Sequence, residues 1–184
     1  MKGLANLVTL SRFVFIFLAA ICIIAYSPAH DEYRWATLCL VVLAILSDIA
    51  DGKVARLLNQ ESSLGAAMDA VADALGFTLG FIFLSFFDLG MKFPLWFVVI
   101  VVGREVAVYG LYLAVMLKKG RVDRKPSRLA KWNTTLLAVC VVLLLLRFEY
   151  AWPLWLLASL TTIVTGTENI AYSWDALRAA SRKS

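Results

Sequence analysis

Four aspartates lie in a polar segment that interrupts otherwise apolar sequence. Residues 48–56 read DIADGKVAR, and after eight further residues the stretch 65–73 reads GAAMDAVAD. Asp48 and Asp51 are three residues apart and Asp69 and Asp73 are four apart, so each pair shares one face of a helix. The pairs fall on consecutive predicted helices joined by a short turn. We therefore expect all four carboxylates to face one another at similar depth.

The sequence around this segment is apolar and predicts membrane-spanning helices. Hydrophobic residues make up 61% of the 184 residues and charged residues 17%, whereas soluble domains carry nearer a quarter charged residues. Apolar runs this long predict helices of about 20 residues rather than barrel strands. The expected fold is all-α, with six transmembrane helices in a single domain over residues 1–184. The predicted spans are Leu4–Tyr26, Arg34–Leu57, Ser62–Phe87, Phe93–Leu117, Arg128–Leu146 and Tyr150–Ile170.

The basic residues predict the orientation of these spans. With the N-terminus inside, the cytoplasmic segments hold 14 Lys and Arg residues and the opposite segments hold 3, namely Arg34, Lys92 and Arg147. This asymmetry favours two cytoplasmic termini, in the inner (cytoplasmic) membrane, with the aspartates facing the cytoplasm. The clustering of Lys and Arg residues beside apolar runs is typical of contact with membrane lipids, and it argues against a nucleic-acid partner.

The aspartate segment predicts a metal-dependent site. Four converging carboxylates repel one another, and Lys53 and Arg56 cannot neutralise them all. Mg²⁺ or Mn²⁺ suits oxygen ligands from carboxylates and phosphates. The small residues Gly52, Ala55 and Gly65 leave room for a nucleotide near the backbone. Arg56, about one turn beyond the first aspartate pair, is placed to meet a diphosphate.

The same segment carries a resemblance to a known family. It is similar to the signature D-x2-D-G-x2-A-R-x8-G-x3-D-x3-D of the CDP-alcohol phosphotransferase (CDP-alcohol phosphatidyltransferase) family, with all eight fixed residues present over 26 positions. The resemblance implies an enzyme that transfers a phosphatidyl group from CDP-diacylglycerol to a small alcohol and releases CMP. It also implies two bound Mg²⁺ or Mn²⁺ ions and a homodimer.

Site roles follow from the resemblance, residue by residue. The metal ligands are Asp48, Asp51, Asp69 and Asp73. Asp73 is also expected to be the general base that deprotonates the acceptor hydroxyl. Residues 6–12 show a shorter likeness, N-x2-T-x2-R, which borders the nucleotide pocket in family members. The expected nucleotide-binding residues are Asn6, Gly52, Ala55, Arg56, Ser62 and Gly65.

Three basic residues are candidates for binding the acceptor. Arg104 and Glu105 interrupt the fourth span, and family members that make phosphatidylglycerophosphate often carry Arg-Glu at this point. Adjacent residues do not share a helix face, so we do not expect these two to be merely each other's partner. Arg128 and Lys131 share a face at the membrane edge. Arg104, Arg128 and Lys131 together favour a phosphorylated acceptor at the mouth of the aspartate site.

The identity of the acceptor is less clearly marked. Relatives that use glycerol phosphate tend to show G-K-x-K-T-x2-Q where this chain has Lys131 but Asn133 and Leu137, and usually a Lys where Ala74 follows Asp73. Glycerol 3-phosphate is the expected acceptor, giving phosphatidylglycerophosphate. A phosphatidylinositol phosphate synthase or a phosphatidylserine synthase-like enzyme stays an alternative. Outside the class, a cation transporter lined by the aspartates is the other hypothesis, although no acidic residue lies in the outer half of any predicted span.

Overall fold

The described part of the protein is helical. The computed structural model describes residues 2–58, 76–119 and 127–181, with side chains at 11, 14–47, 76–115, 127–175 and 178. Within these ranges there is no strand, only an isolated bridge between Ser27 and His30 in the first loop. The helices are α1 Lys2–Ala25, α2 Glu32–Leu58, the described part of α3 Gly76–Phe86, α4 Leu95–Lys119, α5 Arg128–Leu145, a 3₁₀ turn Glu149–Ala151 and α6 Trp152–Ser181.

The predicted all-helical fold is confirmed, with one clear difference in length. The bounds of α1, α2, α4 and α5 fall within about two residues of the predicted spans. The start predicted for α3 at Ser62 lies outside the described residues. Helix α6 continues to Ser181, well past the predicted end at Ile170. The extension contains no Gly or Pro to stop it, and Arg178 in its last turn complements the helix dipole.

Local sequence signals account for where two helices begin. Pro94 immediately precedes α4, and its carbonyl accepts hydrogen bonds from the backbone N–H groups of Phe97 and Val98 at 3.0 and 3.3 Å. Ser127 caps α5, because its hydroxyl accepts a hydrogen bond from the N–H of Ala130 at 3.1 Å.

Part of the predicted membrane character is visible in helix length and composition. In the described side chains, Leu95–Val115 and Arg128–Leu145 are long and apolar enough to cross a bilayer. The apolar stretches Val14–Ala25 and Gly76–Phe86 are shorter. The six-span topology and the position of the termini stay predictions.

The contacts divide the chain into two compact units, so a single domain over residues 1–184 also stays a prediction. The first unit comprises Met1–Phe93 and Val141–Phe148. Within it α1 packs along α2, and Phe81 and Phe93 are buried with their ring centroids 5.2 Å apart. The second unit comprises Pro94–Cys140 and Glu149–Ser184. Within it α4 packs along α6, and Phe97 lies 6.3 Å from Trp155 between ring centroids.

Arg34 is a buried cation of the first unit. Its Nε and Nη2 donate to the two carboxylate oxygens of Asp31 at 2.9 and 2.6 Å. Its Nη1 donates to the carbonyl of Leu145, the last residue of α5, at 2.5 Å. The hydrogen bonds from Arg34, together with the nearby charge of Arg147, hold the pKa of the Asp31 carboxyl below its usual range. Arg34, which the sequence marked only as a topology signal, therefore links the start of α2 to the end of α5.

Arg147 connects three chain segments of the same unit. Its Nε donates to the carbonyl of Leu89 at 2.9 Å. Its Nη2 donates to the hydroxyl of Tyr26 at 2.6 Å and to Asp31 at 2.7 Å. We call Tyr26, Asp31, Arg34, Leu89 and Arg147 the Arg147 network. It joins the α1–α2 loop, the α3–α4 loop and the end of α5.

The backbone at Arg147 adopts a conformation that usually favours glycine. Its φ is 56°, and the N–H groups of Arg147 and Phe148 donate to the carbonyls of Leu144 and Leu143 at 2.9 and 3.0 Å, a Schellman ending for α5. An L side chain here costs about 1 kcal/mol. Opposite it, Gly90 has φ of 87°, and a Cβ at that position would overlap the Arg147 guanidinium. The guanidinium contacts offset the backbone cost.

Replacing Arg147 tests this compensation. Arg147→Gly relieves about 1 kcal/mol of backbone strain but removes three hydrogen bonds, so we expect the thermal midpoint of the detergent-purified protein to fall. Lys92→Gly is the matched control, because it removes the same charge from an exposed loop position. A midpoint at or above that of the unaltered protein for Arg147→Gly would show that the network contributes nothing.

Candidate functional site

The helical backbone extends through the first aspartate pair. Helix α2 is continuous from Glu32 to Leu58, so Asp48 and Asp51 have the helical spacing that the prediction assumed. Their side chains are outside the described set. Asp69 and Asp73 lie outside the described residues, and so does their predicted convergence with the first pair.

The predicted metal ligands fit a divalent cation by the chemistry of their donors. Four carboxylates offer hard oxygen ligands, which Mg²⁺ and Mn²⁺ prefer. Among the described side chains, no group of three or more His, Cys, Asp or Glu could hold a metal ion. The four aspartates were not among those side chains.

The predicted nucleotide residues are divided in the same way. Asn6 belongs to α1, and Gly52, Ala55 and Arg56 belong to the last turns of α2, where the backbone is helical. Ser62 and Gly65 lie outside the described residues. The assignment of all six stays a prediction.

A cleft in the first unit lies far from Asp48 and Asp51 along α2. It measures about 500 Å³ and is lined by Tyr26, Pro28, Asp31, Asp88, Gly90 and Arg147. Asp31 directly precedes α2, whereas Asp48 is 17 residues further along, which corresponds to about 25 Å of helix. The cleft belongs to the Arg147 network and lies at the opposite end of α2 from Asp48 and Asp51.

Arg104 and Glu105 pair with each other, although adjacent residues do not share a helix face. Nη1 of Arg104 donates to Oε1 of Glu105, and the two side chains are 17% and 10% exposed. Long side chains can bend around the helix to reach a neighbour, so the pairing leaves open whether the two residues are merely each other's partner. Pairing does not use the whole guanidinium: Nε of Arg104 is buried and has no hydrogen-bond partner in the described part of the chain.

Arg128 and Lys131 are exposed side chains in the first turns of α5. They are three residues apart and share a helix face, as predicted. Arg104 instead lies in α4 and is largely buried. No described hydrogen bond or ion pair joins Arg104 to either residue, so the convergence of the three on one acceptor stays a proposal.

Asn133 makes buried contacts that the sequence did not predict. It is 2% exposed, and its Oδ1 accepts hydrogen bonds from the hydroxyls of Thr161 and Thr162 at 2.7 and 3.1 Å. The sequence comparison had noted Asn133 only as standing where relatives carry a lysine. A buried amide among apolar helices needs partners, so the pattern signalled a contact but did not identify Thr161 and Thr162.

The polar side chains of the second unit meet along α6. Asn133 contacts Thr161 and Thr162, and one turn later Arg104 lies against Gly166. Ser127 at the start of α5 donates to Glu168 at 3.2 Å. Helices α4, α5 and α6 therefore bring charged and amide groups together over residues 161–168.

Comparison with known proteins agrees with the signature at residues 48–73. The family model for CDP-alcohol phosphatidyltransferase matches residues 2–165. The chain belongs to this family, and the resemblance seen in the sequence is confirmed.

Three relatives illustrate the range of functions in the family. A protein of Bacillus subtilis (strain 168) named CDP-diacylglycerol–glycerol-3-phosphate 3-phosphatidyltransferase is 32% identical over 98% of this chain and 100% of its own length. A Rickettsia felis protein of the same name is 30% identical over 90% of this chain and 92% of its own length. A cardiolipin synthase (CMP-forming) of Streptomyces coelicolor is 31% identical over 76% of this chain and 63% of its own length.

Removing the Asn133 amide tests its role between α5 and α6. We expect Asn133→Ala to lower the free energy of unfolding by about 1 kcal/mol, because two hydroxyls lose an acceptor. Thr135→Ala is the control, since the exposed Thr135 hydroxyl donates only within α5, to the carbonyl of Lys131. Denaturant unfolding of the purified proteins measures both. Equal effects of the two substitutions would contradict the contact's importance.

Proposed function

We propose that this chain transfers a phosphatidyl group from CDP-diacylglycerol to glycerol 3-phosphate, giving phosphatidylglycerophosphate and CMP. Membership of the family makes the chain a phosphatidyltransferase of phospholipid biosynthesis. The observation that carries the choice of acceptor is the similarity, over nearly the whole chain, to two proteins whose names specify glycerol 3-phosphate.

The proposed setting is the cytoplasmic membrane, with six spans, both termini in the cytoplasm and the active site facing it. The 14-to-3 distribution of basic residues supports this orientation. The two long apolar helices support membrane insertion. A homodimer is expected only from the family resemblance.

In this proposal Asp48, Asp51, Asp69 and Asp73 hold the divalent cations, two Mg²⁺ or Mn²⁺ ions. Four acidic ligands in apolar sequence support a cation site, because carboxylates inside a membrane are costly unless they are neutralised. Bound cations would neutralise diphosphate oxygens and stabilise charge at the attacked phosphorus. Nucleotide recognition is assigned to a separate set: Asn6, Gly52, Ala55, Arg56, Ser62 and Gly65.

Asp73 has the proposed role of general base. Its carboxylate takes the proton from the acceptor hydroxyl as that oxygen forms a bond to the β-phosphorus of CDP-diacylglycerol. The bond between this phosphorus and the bridging oxygen breaks, and CMP leaves with the bond's electron pair. Arg56 is suited to hold the diphosphate by charge-assisted hydrogen bonds.

Arg104, Arg128 and Lys131 are the proposed acceptor-binding residues. The partly buried guanidinium of Arg104, with one donor that has no partner among the described residues, supports a contact to an anionic group. Arg128 and Lys131 are exposed and available to a phosphate. Each charge-assisted contact typically contributes about 1.5–3 kcal/mol.

Cardiolipin formation is a second candidate. The observation that favours it is the similarity to a protein named as a CMP-forming cardiolipin synthase. The absence of a lysine at Asn133 and of a glutamine at Leu137 leaves room for an acceptor other than glycerol 3-phosphate. The alternatives named from the sequence also stay open: synthesis of phosphatidylinositol phosphate or phosphatidylserine, and cation transport.

An acceptor panel tests the proposed function. Purified protein is incubated with CDP-diacylglycerol, divalent metal and one acceptor: glycerol 3-phosphate, inositol phosphate, serine or phosphatidylglycerol. We expect the fastest CMP release with glycerol 3-phosphate, and phosphatidylglycerophosphate as the lipid product by mass spectrometry. The Asp73→Asn protein should release no CMP while still binding CDP-diacylglycerol, since the base acts in the transition state.

Other outcomes separate the alternatives. Cardiolipin formed from phosphatidylglycerol, with no product from glycerol 3-phosphate, would establish the second candidate. Near-normal turnover by Asp73→Asn would show that the base lies elsewhere.

A further inference from the structure

Glycine at position 166 is unfavourable for the helix that contains it. Gly166 lies within α6, where glycine costs about 1 kcal/mol relative to alanine. It is buried, and its surroundings provide a specific reason for the missing side chain. A Cβ at this position would lie 2.9 Å from Cγ and 3.8 Å from Cβ of Arg104. The stem of Arg104 therefore passes directly over the α6 backbone.

The contact is to the root of the Arg104 side chain. A flexible tip could move away from an added methyl group at little cost. Cγ is one bond from Cβ, so relief of the overlap requires a change in the first side-chain torsion or a separation of α4 from α6. Either change displaces the guanidinium, which carries the ion pair to Glu105 and the buried Nε that has no partner among the described side chains.

The buried face of α6 changes character along its length. Its earlier part buries Trp155 and Ala158. From Ser159 onward, the buried residues among the described side chains are small or polar: Ser159, Thr162, Thr165, Gly166 and Ser173. This face gives Arg104 a narrow path between the helices and keeps large apolar groups away from it.

We infer that Gly166 is a positioning residue for the acceptor: it fixes Arg104 so that the guanidinium meets the acceptor's phosphate. The inference rests on the proposed role of Arg104 in acceptor binding. Gly166 itself touches neither substrate. It acts by leaving the volume that the Arg104 stem occupies.

Kinetics of the full-length enzyme test the inference. Gly166→Ala should raise the KM for glycerol 3-phosphate on the order of ten-fold, as expected for a misplaced charge-assisted contact, and leave the KM for CDP-diacylglycerol nearly unchanged. Gly110→Ala is the matched control, because Gly110 also lies within a helix but a Cβ there meets nothing within 4 Å. An unchanged acceptor KM in Gly166→Ala would overturn the inference.

A double-mutant cycle isolates the contact. Arg104→Ala removes Cγ, so adding Gly166→Ala should then cost nothing further in acceptor KM. If Arg104→Ala is inactive, thermal midpoints serve instead: Gly166→Ala should lower the midpoint in the unaltered protein and not in Arg104→Ala. A similar decrease in both backgrounds would overturn the inference.

Arg104→Gln separates this inference from the function it rests on. A raised acceptor KM for Arg104→Gln, with none for Gly166→Ala, would refute the positioning role and leave Arg104 as an acceptor ligand. An unchanged acceptor KM for Arg104→Gln would overturn both the acceptor role of Arg104 and the positioning role of Gly166. In either case, CMP release with glycerol 3-phosphate would still test the proposed reaction independently.

Discussion

Polar groups buried among apolar helices are costly to leave unpaired, and this constraint accounts for several of the specific contacts in the described part of the molecule. An unpaired buried donor costs about 1–3 kcal/mol, and an unpaired buried charge costs more. In the first unit, Arg34 and Arg147 share the carboxylate of Asp31 and also bind backbone carbonyls. In the second unit, Asn133 accepts two threonine hydroxyls from α6. Through these contacts α2 is joined to the end of α5 in the first unit, and α5 to α6 in the second.

The same constraint indicates where a ligand is needed. The four aspartates of residues 48–73 outnumber the two basic residues between them, Lys53 and Arg56. Divalent cations that also hold a diphosphate would balance them, which is the chemistry that membership of the phosphatidyltransferase family implies. Arg104 also has a polar group for which the described residues provide no partner. Glu105 pairs its charge, while its buried Nε has no partner among the described residues.

The features predicted well from the sequence are those set by local pattern. Apolar runs gave helix limits close to the observed ones, and the spacing of the aspartates identified the family. Helix α6 was predicted too short because hydropathy marks only the apolar part of a helix. The polar turns beyond Ile170 are equally able to form helix.

Contacts between distant segments could not be predicted in the same way. Arg147 meets Tyr26 across 121 positions, and nothing in either local sequence specifies the other. The left-handed backbone conformation at Arg147 could not be predicted either, because glycine is the usual residue at such a helix end. Gly166 is understandable only once Arg104 is seen against it. The Arg104–Glu105 pair shows in addition that long side chains can connect adjacent positions that do not share a helix face.

Metal dependence is the most direct test of the proposed aspartate site. The measurement is CMP release from CDP-diacylglycerol and glycerol 3-phosphate by purified protein, first in excess chelator and then after Mg²⁺ or Mn²⁺ is restored. If the four aspartates act by holding divalent cations, chelation abolishes CMP release and the added metal recovers it. Full CMP release in excess chelator would contradict the metal site.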